Sequence, residues 1–199
     1  MFLSRFEIPW DLARNPYHFH QRLWRLFPDD DQRQRTFLFR IEQHRAGLPF
    51  RGLLQSRRAP SQAERISLLG TREFSPQPQL GQRLAFVLTA NPIKTIVDAE
   101  KSAKPGKQSE KCRVPLIKEE EQKAWLGRKF GGAASVEAVT VQPNPPLYFR
   151  KGHRGGKLAP VSFEGVLQVA DPRLLVELLE NGVGPAKAFG CGLMLVRRI

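Results

Sequence analysis

The spacing of hydrophobic residues predicts strands and one amphipathic helix in the first third of the chain. Residues 1–8 have the short, apolar-rich pattern of a strand. Asn15 followed by Pro16 is typical of a helix start, and we predict a helix over residues 17–27. Further strands are predicted over residues 36–42 and 50–56. The predicted order is therefore strand, helix, strand, strand.

The rest of the chain repeats this order and extends it. A strand is predicted from residue 84, continuing past Pro92 to Val97, and residues 100–111 form a polar loop. A helix over residues 117–130 has glutamates in its first turn and Arg128 and Lys129 in its last. The remaining predicted elements are strands near Val139, at 147–151 and at 158–169, a helix from Asp171–Pro172 to Asn181–Gly182, and a strand at 193–196.

Two copies of a βαββαβ pattern predict an α+β fold of tandem ferredoxin-like domains, the topology shared with RNA-recognition motifs. The segment Ser75-Pro76-Gln77-Pro78 has the composition of a linker. We therefore predict one domain over residues 1–80 and a second over residues 81–199.

The chain is strongly basic, with 32 Lys and Arg against 19 Asp and Glu, a net charge of +13 and a pI near 10.4. Such an excess favours a polyanionic partner, because neutralised phosphates release condensed counterions; a basic protein without such a partner is the alternative. No apolar run approaches 18 residues, and Arg5 and Glu7 interrupt the N-terminus. We expect a cytoplasmic protein that does not contact membranes.

No cofactor or metal is expected from the sequence. Cys112 and Cys191 are far apart and outside any paired motif, so they do not form a zinc site between them. The run Asp29–Asp31 lacks a partner motif for Mg²⁺ and is more typical of a solvated loop. Both cysteines are interpreted as structural thiols.

His20 is a candidate catalytic residue of the first helix. On a helical wheel it lies at the edge of the apolar arc, beside Tyr17 and Trp24, whereas His18 points away. An imidazole moves protons near neutral pH, and RNA supplies its own nucleophile in the ribose 2′-hydroxyl. Tyr17, one turn earlier, can donate a hydrogen bond or a proton. The alternative is a core-edge histidine with a structural role, and His44 and His153 have weaker claims.

Two glycine-containing segments are candidates for phosphate binding. The stretch RKGHRGGK, residues 150–157, lies in a region without acidic residues and suits the major groove of an A-form stem, unless it is a solvated polar turn. A second glycine-rich segment could cradle a phosphate or be architectural. The candidate RNA-binding residues are Lys94, Arg113, Lys118, Arg150, Lys151, Arg154, Lys157 and Lys187, and the glycines of the second segment are Gly182, Gly184, Gly190 and Gly192.

The sequence resembles the CasE family of CRISPR repeat-processing endoribonucleases. The residues that carry the resemblance are YHFHQRLWRLFP, ANPIKTI, CRVPLIKEEEQKAWLGRKFG, FEGVL and GVGPAKAFGCGL, which span both halves of the chain. The resemblance assigns His20 and Tyr17 to the catalytic positions, residues 150–157 to the basic hairpin and residues 182–192 to the glycine-rich signature. It also implies two ferredoxin-like domains.

The resemblance implies binding of the repeat stem-loop of precursor CRISPR RNA. It further implies cleavage at the 3′ side of the hairpin by the 2′-hydroxyl, giving a 2′,3′-cyclic phosphate and a 5′-hydroxyl. The mature CRISPR RNA and the other subunits of the Cascade complex are the implied partners after cleavage. A non-catalytic RNA-binding subunit of the same complex is the alternative.

Overall fold

The computed structural model describes residues 1–13, 15–28, 36–43, 47–97, 111–152 and 154–199. Four features named from the sequence lie outside these ranges: the Asp29–Asp31 run, His44, His153 and the predicted polar loop up to residue 110. In the described part of the chain, no helix has the length and apolar character needed to cross a membrane.

The first sheet has four antiparallel strands in the order β2-β3-β1-β4. This order is that of a ferredoxin-like unit and confirms the predicted fold class. The unit departs from βαββαβ in one respect, since residues 57–66 between β3 and β4 contain no helix. The strands are β1 (Phe2–Ile8), β2 (Phe37–Gln43), β3 (Phe50–Ser56) and β4 (Ser67–Glu73).

Helix α2 (Pro16–Leu23) lies against this sheet, after the short helix α1 (Trp10–Ala13) and before a 3₁₀ turn (Trp24–Leu26). Asn15 begins α2 as its N-cap, because its side chain accepts a hydrogen bond from the Tyr17 N–H. The face predicted from the helical wheel is buried. Its residues are Phe19, Leu23, Leu26 and Phe27, which pack with Phe6, Ile8, Phe37, Phe39, Phe50 and Leu54 of the sheet.

The second sheet forms a complete βαββαβ unit with the strand order β12-β5-β11-β8. Helix α3 (Glu119–Phe130) begins after Lys118, and helix α4 (Pro172–Asn181) is capped by the Asp171 side chain. Both helices bury apolar residues against the sheet, including Trp125, Leu126 and Leu175. The strands are β5 (Arg83–Ala90), β8 (Ala134–Pro143), β11 (Val161–Val169) and β12 (Met194–Arg198).

Two hairpins are inserted into the second unit, and each corrects a predicted strand. The strand predicted from residue 84 to Val97 ends at Ala90, because Pro92 has no backbone N–H to donate to a neighbouring strand. The residues after Pro92 form β6 (Ile93–Val97), which pairs with β7 (Lys111–Pro115). The strand predicted over residues 158–169 is likewise divided at Pro160. Leu158 belongs to the hairpin of β9 (Leu147–Lys151) and β10 (Arg154–Leu158), and the rest of the predicted strand is β11, which begins at Val161.

Candidate active site and basic hairpin

The His20 side chain is half-buried against an aromatic wall. Its ring lies 5.4 Å from the ring of Phe37 and 6.4 Å from that of Phe39, both on β2, and meets Trp24 edge-on at 5.9 Å. The Nε2 atom has almost no solvent exposure. These contacts restrict the orientation of the imidazole, and they confirm the predicted position of His20 at the edge of the core.

Tyr17 lies one turn before His20 on α2, as the sequence spacing requires. Its ring is half-buried and contacts the ring of His18 edge-on at 5.5 Å. The exposed His18 contacts the Gln21 side chain at 3.1 Å and points away from the core, as predicted. The catalytic roles of Tyr17 and His20 stay predictions.

The basic hairpin, β9–β10 with its turn at Gly152, presents different residues on its two faces. Tyr148 and Arg150 are exposed, and the Lys157 ammonium lies 5.7 Å from the centre of the Tyr148 ring. Phe149 faces the other way and contacts the ring of Phe189 at 4.5 Å. One face of the hairpin is therefore available to a polyanion, and the other packs on the protein.

Gly155 and Gly156 lie within β10, whereas the sequence placed them in the turn. They pair there with Arg150 and Phe149 of β9, and glycine is required at position 156 because the Phe149 ring occupies the space of a side chain. Lys151 and Arg154 occupy the ends of β9 and β10 nearest the turn. The predicted RNA contacts of all four basic residues of this hairpin stay predictions.

The second basic region lies on a separate hairpin and on the adjoining helix. Arg113 of β7 and Lys118 at the start of α3 are exposed. Lys94 of β6 is also exposed and forms an ion pair with Glu121 at 3.1 Å. An exposed ion pair of this kind contributes little to stability, so these cations lie at the surface without a strong structural role.

The glycine-rich segment, residues 182–192, is buried at both ends and half-buried over residues 184–189. Its four glycines all have positive φ angles between +74° and +92°, which favour glycine. A Cβ on Gly182 would meet Leu38 of β2 at 2.8 Å, and one on Gly190 would meet Phe39 at 3.2 Å. Since Phe39 also contacts His20, the segment supports the wall on which the imidazole rests. This packing favours the architectural interpretation.

Lys187 lies in a 3₁₀ turn of this segment (Lys187–Phe189), and its ammonium donates to the Asn181 carbonyl at 2.5 Å. The lysine thus binds the C-terminal end of α4, where a cation is favoured. An RNA contact of Lys187 stays a prediction.

A cavity of about 530 Å³ lies between the two halves, beside the glycine-rich segment. Aromatic rings form much of its wall, and Cys191 also lines it. Burial raises the pKa of the Cys191 thiol to about 12, so this sulfur is not a nucleophile at neutral pH. No cluster of three or more metal-binding side chains was found among the described residues.

Asn15 joins the helix of His20 to the basic hairpin. Its side-chain nitrogen donates to the Arg150 carbonyl at 3.0 Å, and its side-chain oxygen accepts from the Arg150 N–H at 3.5 Å. The sequence identifies Asn15 only as a helix cap. It contains no signal for the second contact, because the two residues are 135 positions apart.

Comparison with known proteins identifies relatives over almost the whole chain. A family described as CRISPR associated protein matches residues 1–198. The chain is 43% identical to the CRISPR system Cascade subunit CasE of Escherichia coli K12, over 98% of each chain. It is 34% identical to the CRISPR-associated endoribonuclease Cse3 of Thermus thermophilus, over 94% of this chain and 91% of the relative.

Solved structures agree with these matches. The crystal structure of Cas6e from Escherichia coli K-12 superposes with a TM-score of 0.88 at 42% identity, covering 100% of both chains. Cse3 bound to a 19-nucleotide RNA gives a TM-score of 0.78 at 30% identity, over 99% of this chain and 100% of the other. A chain of Escherichia coli Cascade bound to a PAM-containing double-stranded DNA gives 0.65 at 32% identity, with 100% of both chains covered.

Proposed function

Because this chain belongs to the family of CRISPR-associated proteins, we propose that it is a metal-independent endoribonuclease that processes precursor CRISPR RNA. It binds the repeat stem-loop and cleaves at the 3′ side of the hairpin. Relatives that are described as an endoribonuclease, as RNA-bound and as a Cascade subunit support RNA cleavage, RNA binding and assembly into Cascade.

The observation that carries the proposal is the position of His20 relative to the basic hairpin. The helix that contains His20 begins at Asn15, and Asn15 binds the backbone of Arg150 in the hairpin. A stem held by the exposed side chains of Arg150 and Lys157 is thereby brought to the helix that carries the imidazole. Binding and proton transfer are then adjacent functions of one surface.

The proposed reaction is an internal transesterification. The ribose 2′-hydroxyl loses its proton and attacks the adjoining phosphorus, while the bond from phosphorus to the 5′ oxygen breaks. The 5′ oxygen takes up a proton, which gives a 2′,3′-cyclic phosphate and a 5′-hydroxyl. In this reaction His20 transfers a proton, and Tyr17 donates a hydrogen bond or a proton to the phosphate. Both are roles typical of positioned acid–base groups.

RNA binding is assigned to exposed cations on two hairpins. We propose that Arg150, Lys151, Arg154 and Lys157 contact the stem from the basic hairpin, where phosphates line the deep groove of A-form RNA. The remaining proposed contacts are Lys94, Arg113, Lys118 and Lys187, with Gly182, Gly184, Gly190 and Gly192 shaping the adjacent segment.

After cleavage the protein keeps the mature CRISPR RNA and joins the other Cascade subunits. The similarity to a chain of the Escherichia coli Cascade supports this assembly. We further propose that the protein works in the cytoplasm, where its two free cysteines would remain reduced. A division into domains 1–80 and 81–199 is part of the same proposal.

The proposal is tested by incubating the purified protein with repeat RNA in EDTA. We expect one cut at the 3′ side of the hairpin, with a 2′,3′-cyclic phosphate on the upstream product. A requirement for added Mg²⁺, or a 3′-hydroxyl on that product, would contradict metal-independent transesterification.

The second candidate is a non-catalytic RNA-binding subunit of Cascade. The aromatic packing of His20 and the low solvent exposure of its Nε2 atom favour it, because both are typical of a histidine with a structural role. A repeat RNA with a single 2′-deoxy nucleotide at the scissile position separates the candidates. We expect it to bind as the all-ribose RNA does and to remain uncut, while no cleavage of either RNA would support the non-catalytic subunit.

A further inference from the structure

Asn15 makes three hydrogen bonds with one planar amide. Its Oδ1 atom accepts from the Tyr17 N–H at 3.1 Å and from the Arg150 N–H at 3.5 Å. Its Nδ2 atom donates to the Arg150 carbonyl at 3.0 Å. The first bond caps α2, and the other two hold the backbone of β9.

The contact with β9 occupies the open edge of that strand. Arg150 is paired across the hairpin with Gly155 of β10. In an antiparallel pair, alternate residues direct both backbone groups away from the partner strand. Arg150 directs its N–H and carbonyl to Asn15, whose amide therefore takes the place of a neighbouring strand at one residue.

The requirement for asparagine comes from β9 and not from the helix. Serine, aspartate and asparagine cap helices about equally well, because the cap needs only a side-chain oxygen. The Arg150 carbonyl needs a donor in addition, and aspartate and serine cannot provide the same paired amide geometry. Asn15 meets both requirements with one group.

From this geometry we infer that Asn15 is a positioning residue that couples the docking of the basic hairpin to the placement of His20. The inference rests on the proposed function. His20 is five residues after Asn15, roughly 7.5 Å along the helix axis at 1.5 Å per residue. A stem bound to the hairpin fixes Arg150, Arg150 fixes Asn15, and Asn15 fixes the first turn of the helix with Tyr17 and His20.

A second contact holds the same hairpin without involving the helix cap. The Phe149 ring packs on Phe189 in the 3₁₀ turn that follows α4. The hairpin therefore remains docked on the second half of the chain when Asn15 is changed. Substitution of Asn15 should consequently alter the register between hairpin and helix and leave RNA binding largely intact.

The test compares Asn15→Ser and Asn15→Asp with the parent protein. Both variants keep an oxygen that caps α2, and both lose the amide N–H that donates to the Arg150 carbonyl. We expect the single-turnover cleavage rate at saturating protein to fall about 10- to 100-fold, the scale of an ångström-sized misplacement. The dissociation constant for the uncut stem should change less than about threefold, since exposed charged contacts are retained.

The matched control is Asp171→Ala, which removes the N-cap of α4 at a distance from the proposed site. Asp171 accepts from the Arg173 and Leu174 N–H groups, so its loss destabilises the start of a helix without changing α2 or the basic hairpin. We expect this variant to have a lower melting temperature and the parent cleavage rate.

Three results would overturn the inference. The first is cleavage by Asn15→Ser or Asn15→Asp at the parent rate. The second is a loss of cleavage rate in these variants that is matched by an equal loss of RNA affinity. The third is a loss of rate in Asp171→Ala that bears the same proportion to its loss of stability as in the Asn15 variants. Failure of the parent protein to cut the repeat RNA is a different outcome, which refutes the proposed function and removes the inference with it.

Discussion

The basic hairpin and the glycine-rich segment contain the same residue types, glycine and lysine, in opposite environments. In the hairpin, Gly152 is exposed, has a φ of +58° and would meet nothing within 4 Å if it carried a Cβ. In the segment, Gly182 is buried, has a φ of +74° and would place a Cβ 2.8 Å from Leu38. Glycine allows a turn in the first case and a close packing contact in the second.

The lysines of the two regions differ in the same way. Lys157 lies exposed over the ring of Tyr148, whereas Lys187 is half-buried and donates to the Asn181 carbonyl. A basic, glycine-rich composition is therefore insufficient evidence for phosphate binding. The burial of each residue decides its role, and burial depends on contacts between distant parts of the chain.

The largest contrast is expected in thiol reactivity. Cys191 lies between Gly190 and Gly192 and is 1% exposed, whereas Cys112 of β7 is exposed. Burial raises the pKa of Cys191 from 9.0 to about 12. A raised pKa means less thiolate, so at pH 8 iodoacetamide should modify Cys191 about a thousandfold more slowly than an ordinary thiol.

The rates are measured by mass spectrometry, with Cys112→Ser as the variant that leaves Cys191 as the sole thiol. Both cysteines should react completely in denaturant. Equal rates for the two thiols in the native protein would show that the glycine-rich segment opens readily, and the buried environment assigned to that segment would be contradicted.

The next largest effect is expected on stability. Gly182→Ala adds a backbone strain of about 1–3 kcal/mol, because a φ of +74° with a ψ of 159° is essentially limited to glycine, and an overpacking cost of about 1–3 kcal/mol against Leu38 and the Gly192 carbonyl. It should therefore lower the free energy of unfolding by about 2–6 kcal/mol in total. Gly152→Ala should add backbone strain only, because a Cβ there would meet nothing within 4 Å. Urea unfolding of the two variants measures the difference, and equal losses would mean that the segment yields to the added methyl group.

The smallest effect is expected on RNA affinity. Replacing Arg150 and Lys157 together by glutamine should weaken binding of the uncut stem about tenfold at physiological salt, because each exposed charge contributes about 0.5–1 kcal/mol. The plot of log affinity against log salt should also become flatter by about 0.7–0.9 for each phosphate that the variant no longer neutralises.

The control for this prediction replaces Arg72 and Arg128, exposed residues of β4 and α3. We expect the control pair to keep most of the salt dependence. An identical change in both pairs would show that RNA responds to the net charge of the protein and not to the hairpin.

Much of the fold follows from local sequence patterns. The period of apolar residues predicted α2 and the strands around it, and the cap of α4 at Asp171 is visible in the sequence. The errors occur at prolines, in one connection, at Gly155 and Gly156, which lie in β10 and not in a turn, and at the end of α2, which is a 3₁₀ turn after Leu23. Pro92 and Pro160 divide strands that apolar content alone would continue, and residues 57–66 do not form the second helix of the first unit.

The candidate site could be predicted only in part. A helical wheel places His20 at the edge of the core because that property is local. It does not predict that Phe37 and Phe39 form the wall beneath the imidazole, or that Asn15 binds Arg150. The first contacts depend on how α2 packs on its own sheet, and the second depends on how the two halves pack. Residue spacing contains no information about either.

The central claim is that His20 performs the chemistry while the hairpin provides the binding. It is tested by single-turnover cleavage and RNA binding of His20→Ala in EDTA, with His18→Ala as the control on the exposed face of the same helix. We predict that His20→Ala cleaves at least about 100-fold more slowly, as expected for loss of a general acid or base, with an unchanged dissociation constant. His18→Ala should lose at most a few-fold through its contact with Tyr17. Cleavage by His20→Ala within tenfold of the parent rate, or a parallel loss of RNA binding, would contradict the account.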